Sequence, residues 1–174
     1  GNYDGARVLY LEALEIARED GYSEGEANAL NNLGVTAADQ GDLEKAESLY
    51  EEALVIYRKI SDWKGQGDTL TNLGNIAYDR GEYEQSENYN LEALEIYRAN
   101  EDLDGESKSF NNLGNVAMAM GKYDESHDFH IKSLDINRRF GDRPSQALSL
   151  GNLSQVASAR GDREGAISYL QESL

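Results

Sequence analysis

Asn72-Leu73-Gly74-Asn75-Ile76-Ala77-Tyr78-Asp79-Arg80-Gly81-Glu82-Tyr83 is the stretch on which the fold turns. Its opening triplet returns as Asn32-Leu33-Gly34 and Asn112-Leu113-Gly114, and in altered form as Asn152-Leu153-Ser154, 40 residues apart each time. A fixed period in the range of about 20–50 residues marks stacked supersecondary units whose core is a line of neighbouring interfaces. Other positions keep the same register: Gly41, Gly81, Gly121 and Gly161; Leu14, Leu54, Leu94, Leu134 and Leu174; Ile16, Ile56, Ile96 and Ile136. Gly25, Gly65 and Gly105 recur too, with Ser145 in the fourth copy.

Between these markers apolar residues return at spacings of three and four (Leu30, Leu33, Ala37; then Leu49, Ala53, Leu54, Tyr57), which places them on one helical stripe. No segment alternates as a strand does. The pattern predicts an all-α chain with a first helix over 3–19 and four helix pairs. First members fall near 24–40, 64–80, 104–120 and 144–160, second members near 43–60, 83–100, 123–139 and 163–174. The expected organisation is a single array. Residues 1–20 are the second helix of a truncated repeat, 24–60, 64–100 and 104–140 are full repeats, and 144–174 is a truncated last one. Gly41, Gly81, Gly121 and Gly161 close the first helices, where a left-handed C-terminal residue is needed. Asp42, Glu82, Lys122 and Asp162 begin the second helices, and Pro144, the only proline, stands at a helix start. Gly34, Gly74 and Gly114 lie inside helices, at a cost of about 1 kcal/mol each relative to Ala. They predict close approach of the paired helix, with Ala46, Ser86, Ser126 and Ala166 as the small surface opposite.

Composition narrows the function. A formal charge of −17 argues against nucleic acid or an anionic membrane as partner, because both need a positive footprint. There is no cysteine, hence no disulfide framework, thiolate metal site or thiol nucleophile. No apolar run reaches the roughly 18–20 residues of a membrane span, and no signal sequence stands at Gly1; the expectation is a cytoplasmic protein. His127 and His130 with Asp124 and Asp128 share a helix face, but His130 occupies a packing position, so no metal is expected. No nucleophile elbow or phosphate loop is present, and neither catalysis nor a cofactor is expected.

The residues Leu73-Gly74, Ala77, Gly81-Glu82-Tyr83, Ser86 and Ala93-Leu94 resemble the tetratricopeptide repeat (TPR). Gly34, Ala37, Ala46, Tyr50 and Ala53 meet the same pattern, as do Gly114, Ala117, Gly121, Tyr123, Ser126 and Leu134. The usual repeat has 34 residues and ends near a proline. Here Arg58, Arg98 and Arg138 replace that proline and six residues are added, as in the 40-residue variety of Pins-type adaptors and bacterial signalling proteins. The resemblance implies antiparallel helix pairs stacked in a right-handed superhelix, with first helices lining a concave groove that receives a peptide or protein segment.

The groove positions it implies are Asn28, Asp68, Lys108 and Leu148; Asn31, Thr71, Asn111 and Gly151; Val35, Asn75, Asn115 and Gln155; and Ala38, Tyr78, Met118 and Ser158, with Asp39 and Asp79 beside them. These residues lie three or four apart, on a stripe offset from the buried Leu33/Ala37 stripe. Amides can pair with both groups of a peptide backbone whatever its sequence. Asp39, Asp68 and Asp79 against the single Lys108 favour a basic ligand. Asn32, Asn72, Asn112 and Asn152 recur with the repeat itself, so they are read as structural, bonding between neighbouring helices. The alternative function is a regulatory domain acting on an output domain of the same polypeptide. The ends of the array also raise end-to-end self-association through apolar surface near Leu9, Ala13 and Ile16.

Overall fold

The computed structural model describes residues 3–173, without the side chains of Tyr3 and Asp4; the expectations placed on Gly1 and Leu174 lie outside the described residues. Among the described residues there are nine helices and no strand: α1 (Tyr3–Glu19), α2 (Ser23–Asp39), α3 (Leu43–Ile60), α4 (Trp63–Asp79), α5 (Tyr83–Ala99), α6 (Leu103–Ala119), α7 (Tyr123–Phe140), α8 (Arg143–Ala159) and α9 (Arg163–Glu172). The chain falls into two compact units, Gly1–Ile96 and Tyr97–Leu174. In the first, α2 packs on α1 and α3, and Leu14, Ala27, Leu30, Leu33, Ala53 and Tyr57 form the buried cluster. In the second, α7 packs on α6 and α8, and α8 on α9, around Leu134, Leu150 and Leu153.

The turns work as the sequence leads one to expect. Gly41, Gly81, Gly121 and Gly161 all have positive φ, between 74° and 80°. Gly41 takes this conformation so that its N–H reaches the Ala38 carbonyl at 2.9 Å and the Asp42 N–H reaches the Ala37 carbonyl at 2.9 Å. The N-caps add a second device. Asp62, Asp102 and Asp142 each accept from a backbone N–H three residues on, at 3.0, 3.1 and 3.3 Å, and so satisfy an orphan donor of α4, α6 and α8. Between repeats the left-handed residue is Gly21 or Gly141 in two turns but Ser61 (φ 58°) and Glu101 (φ 57°) in the two others, where a side chain is accepted at some conformational cost.

The internal glycines correct one expectation. The second helix does come close, since the Ser86 and Ser126 hydroxyls donate to the Gly74 and Gly114 carbonyls at 2.7 Å. What a Cβ at these glycines would strike, however, is a large side chain 16 residues on, not a small surface. It would stand 2.6 Å from the Tyr50 ring at Gly34, 2.5 Å from the Asn90 amide at Gly74 and 2.5 Å from the His130 ring at Gly114. Glycine makes room here for a buried polar ring or amide.

A second glycine row has the same logic between repeats. A Cβ at Gly65 would run into the Tyr57 ring, and one at Gly105 into the Tyr97 ring. In the last such junction the tyrosine is Asn137 and the glycine is Ser145. The two substitutions belong together: the smaller amide leaves space for the serine side chain.

The arginines that stand where proline would end a repeat tie neighbouring repeats across exposed surface. Arg18 pairs with Glu26 at 2.7 Å and Arg98 with Glu106 at 2.9 Å, both on the following first helix. Arg58 pairs with Glu92 at 2.5 Å and Arg138 with Glu172, both on the following second helix. The choice follows the residue at the contact. Where it is Gln66 or Gln146 instead of a glutamate, its amide donates to the Tyr57 or Asn137 carbonyl at 3.3 and 3.0 Å, and the arginine reaches further. At such exposure each pair contributes no more than about 1 kcal/mol.

Candidate binding face on the first helices

Every groove position expected from the sequence lies on a first helix, α2, α4, α6 or α8. Asn28, Asp39, Asp68, Asn75, Tyr78, Asp79, Lys108, Gln155 and Ser158 are exposed, and Asn31, Thr71, Asn111, Asn115 and Met118 half-buried. Their neighbours at the next helical position, Leu33, Leu73, Leu113 and Leu153, are buried, so one face of each helix is spent on the core and the adjacent one is presented.

Within the first unit α2 and α4 touch directly, and their contact is stitched by amides. The Asn31 carbonyl oxygen accepts from the Thr69 hydroxyl and from the Asn72 amide, each at 3.3 Å. In the second unit the Asn152 amide donates to the Asn111 oxygen at 2.8 Å. Asn72 and Asn152 thus do bond between neighbouring helices. Their acceptors, Asn31 and Asn111, were placed in the groove by the sequence, and their oxygens hold the array together. Asn28 is likewise held: the Tyr57 hydroxyl donates to its oxygen at 2.6 Å. Burial first, then Asp62, Asp68 and Glu24, push the Tyr57 phenol up to about 12, so it remains a donor at any ordinary pH. Burial and Asp39 do the same to Tyr50.

These bonds pre-order the face. Asn28, Asn31 and Asp68 converge with Asp62, Lys64 and Tyr57 on a polar hollow of about 300 Å³ between α2 and α4. Lys64 lies 3.8 Å from Asp68 and partly offsets its charge. Tyr78 stacks obliquely on Tyr83, with ring centres 5.6 Å apart. Thr71 is turned back on its own helix, its hydroxyl donating to the Gly67 carbonyl at 2.9 Å. Lys108 is paired with Asp104 at 2.6 Å.

The second unit carries a feature that the sequence pattern did not disclose. Around Asn137, Ser107 donates to the Asn137 oxygen at 2.8 Å and lies 3.0 Å from the Ser133 hydroxyl; Ser149 lies 3.3 Å from Ser133. This buried hydroxyl–amide network borders a cavity of about 80 Å³ reached by Lys108, Asn111 and Leu148. It fills the place of a tyrosine, and only comparison of Asn137 with Tyr57 and Tyr97 points to it. Among the described residues no three potential ligands converge on a metal position. His127 faces the Tyr169 hydroxyl at 3.2 Å, whereas His130 is buried against Gly114.

A family profile described as tetratricopeptide repeat matches residues 1–59, 26–99 and 105–174. The chain belongs to the tetratricopeptide repeat family. Nothing among curated protein sequences matches it. Solved structures share the TPR solenoid fold. BtubC (BKLC) from P. vanneervenii superposes with a TM-score of 0.90 at 24% identity, over 99% of this chain and 72% of that one. A Rap protein complexed with Competence and Sporulation Factor gives 0.85 at 16%, over 99% and 48%. A signal-transduction ATPase of the STAND type with a tetratricopeptide repeat sensor, from Pyrococcus horikoshii, gives 0.85 at 19%, over 99% and 28%. This TPR chain therefore spans about half or less of the latter two. No helix among the described residues is long and apolar enough to cross a membrane.

Proposed function

We propose that this chain is a non-catalytic scaffold whose first-helix face binds an extended segment of a protein partner bearing lysine or arginine, in the cytoplasm. The observation that carries the reading is the make-up of that face. In the first unit Asn28 and Asn31, held by Tyr57 and Asn72, line one hollow with exposed Asp68, and Asp39 and Asp79 are exposed on the same two helices. Fixed amides can meet a peptide backbone without losing conformational freedom on binding, and the carboxylates attract cationic side chains. Asn75 in the first unit and Asn115 in the second are the positions assigned to the peptide backbone.

The test is capture of a binding segment by the whole chain, followed by titration of that segment. Asn75→Ala with Asn115→Ala should weaken it about tenfold or more, as loss of two hydrogen bonds does. Asp68→Lys with Asp79→Lys should weaken it further, and the wild-type affinity should fall with added salt. Unchanged affinity in both double variants overturns the assignment. A second reading, regulation of an output domain within the same polypeptide, draws on the STAND protein, in which repeats of this fold serve as a sensor. It predicts that the captured segment belongs to the chain's own polypeptide.

A further inference from the structure

The helices α1, α2 and α3 border a cavity of about 190 Å³ that none of the expected binding-face residues lines. Its floor is apolar: Leu11, Leu14, Leu30, Leu33 and Leu49. Its rim is cationic, with Arg7, Arg18 and Lys45. Arg18 is taken up by Glu26 at 2.7 Å and Glu52 at 3.7 Å, which also accounts for the one carboxylate on the rim. Among the described residues the side chains of Arg7 and Lys45 make no ion pair. Other cations, such as Lys59 and Arg163, likewise make no ion pair among the described residues; it is the placing of Arg7 and Lys45 together at the rim of an apolar floor that points to a ligand.

The repeats supply their own control. In the next repeat the residues at the corresponding places are Ile76 for Thr36, Tyr89 for Leu49, Glu47 for Arg7 and Arg80 for Gln40. There the larger side chains occupy the space, and Arg80 closes over it by pairing with Glu47 at 2.5 Å. In the last repeat Val156 and Tyr169 stand at these places, and His127 meets the Tyr169 hydroxyl at 3.2 Å. These substitutions set the α1–α2–α3 junction apart from both of those repeats. The cavity arises from two reductions in side-chain size together with a reversal of charge from Glu47 to Arg7.

We propose that this cavity binds a small apolar monocarboxylate of the medium-chain fatty-acid class, its chain on the leucines and its carboxylate between Arg7 and Lys45. The size fits an apolar tail: at about 30 Å³ for a group the size of a water, the space takes roughly six such groups, close to the tail of a medium-chain acid whose carboxylate stays at the rim. The charge fits as well. A polyanionic partner would be repelled by the chain as a whole, whereas a single carboxylate meets its two cations at short range. A neutral hydrocarbon would leave Arg7 and Lys45 unused.

The test is a titration of the whole chain with octanoate, and separately with 1-octanol, followed by amide chemical shifts. Octanoate should produce saturable shifts confined to α1, α2 and α3. Thr36→Ile with Leu49→Tyr, which installs the residues of the next repeat, should abolish them. Arg7→Gln with Lys45→Gln lies on the surface and keeps the fold whatever the fate of the first variant. It should weaken octanoate about tenfold, the effect of losing a charge-assisted contact, and leave 1-octanol unchanged. The proposal is overturned if octanoate gives no saturable shifts. It is equally overturned if the filled cavity, in a variant of unchanged circular dichroism, binds as well as the wild type. A third refutation would be Arg7→Gln with Lys45→Gln binding octanoate as tightly as before.

Discussion

Acidification should unfold this protein partly through one histidine. His130 is 1% exposed, and its Nδ1 has no hydrogen-bond partner among the described residues. Burial first, and then the neighbouring His127, lower its pKa from 6.5 to about 4. In the unfolded chain the same imidazole titrates near 6.5. Between these values the unfolded chain binds a proton that the native protein does not. Stability is therefore complete above about pH 6.5, falls as pH drops through the window, and levels off below about 4, where native His130 is itself protonated. A shift of about 2.5 pH units at 1.36 kcal/mol each gives a total loss of about 3 kcal/mol, of which about 2 kcal/mol is reached at pH 5. The comparison protein is His130→Asn. The previous repeat has Asn90 in this place, donating to the Ser86 carbonyl at 2.9 Å, and Ser126 waits in the equivalent position. Urea unfolding followed by circular dichroism at pH 7 and pH 5 gives four free energies. Effects common to the two proteins cancel in the difference, which reads the imidazole together with its coupling to His127. The wild type should lose about 2 kcal/mol more than His130→Asn between the two pH values. A difference that stays constant to within about 0.5 kcal/mol would refute the buried neutral imidazole.

Other outcomes follow from the turns and seams. Gly105→Ala should cost about 1–3 kcal/mol because the new methyl meets the Tyr97 ring, even though alanine is the better helix former. In a Tyr97→Asn background the same change should be neutral or stabilising, which a double-mutant cycle in urea reads directly. Ser61→Gly should raise stability by about 1 kcal/mol by relieving the left-handed conformation, visible as a higher Tm. Asp102→Ala should lower it by about 1 kcal/mol through loss of the α6 cap. Arg58→Ala should change it by less than about 1 kcal/mol, and by less still in high salt.

The helices, turns and buried stripe were legible in the sequence because each is fixed by local rules repeated in register. Gly81 must be left-handed whatever its neighbours, and Leu73 must face inward on a helix with this period. What the sequence could not disclose were the pairings between repeats. That Gly74 faces Asn90, or that Asn31 accepts from Asn72, depends on how one helix is rotated against the next, and periodicity within a helix does not encode that angle. The same limit applies to the binding face. Its expected positions lie on first helices, but in sequence Asn31 and Asn111 look no different from an exposed amide such as Asn75. Only the distance to the next helix shows their oxygens engaged. The α1–α2–α3 cavity escaped notice for a related reason. Thr36 and Leu49 are unremarkable until seen beside Ile76 and Tyr89.

The exchange of tyrosine and glycine for asparagine and serine at the seams bears on how the chain finds its order. Forty-residue units with nearly identical turns could stack with one repeat skipped, burying almost the same stripe. A chain that looped out α6 and α7 would bring Ser145 under Tyr97, where even a single methyl at the glycine position collides with the ring. That one skip is thereby penalised at the contact where it would form. The last junction thus carries an address as well as adhesion, since Ser145 can lie against Asn137 but not against a tyrosine.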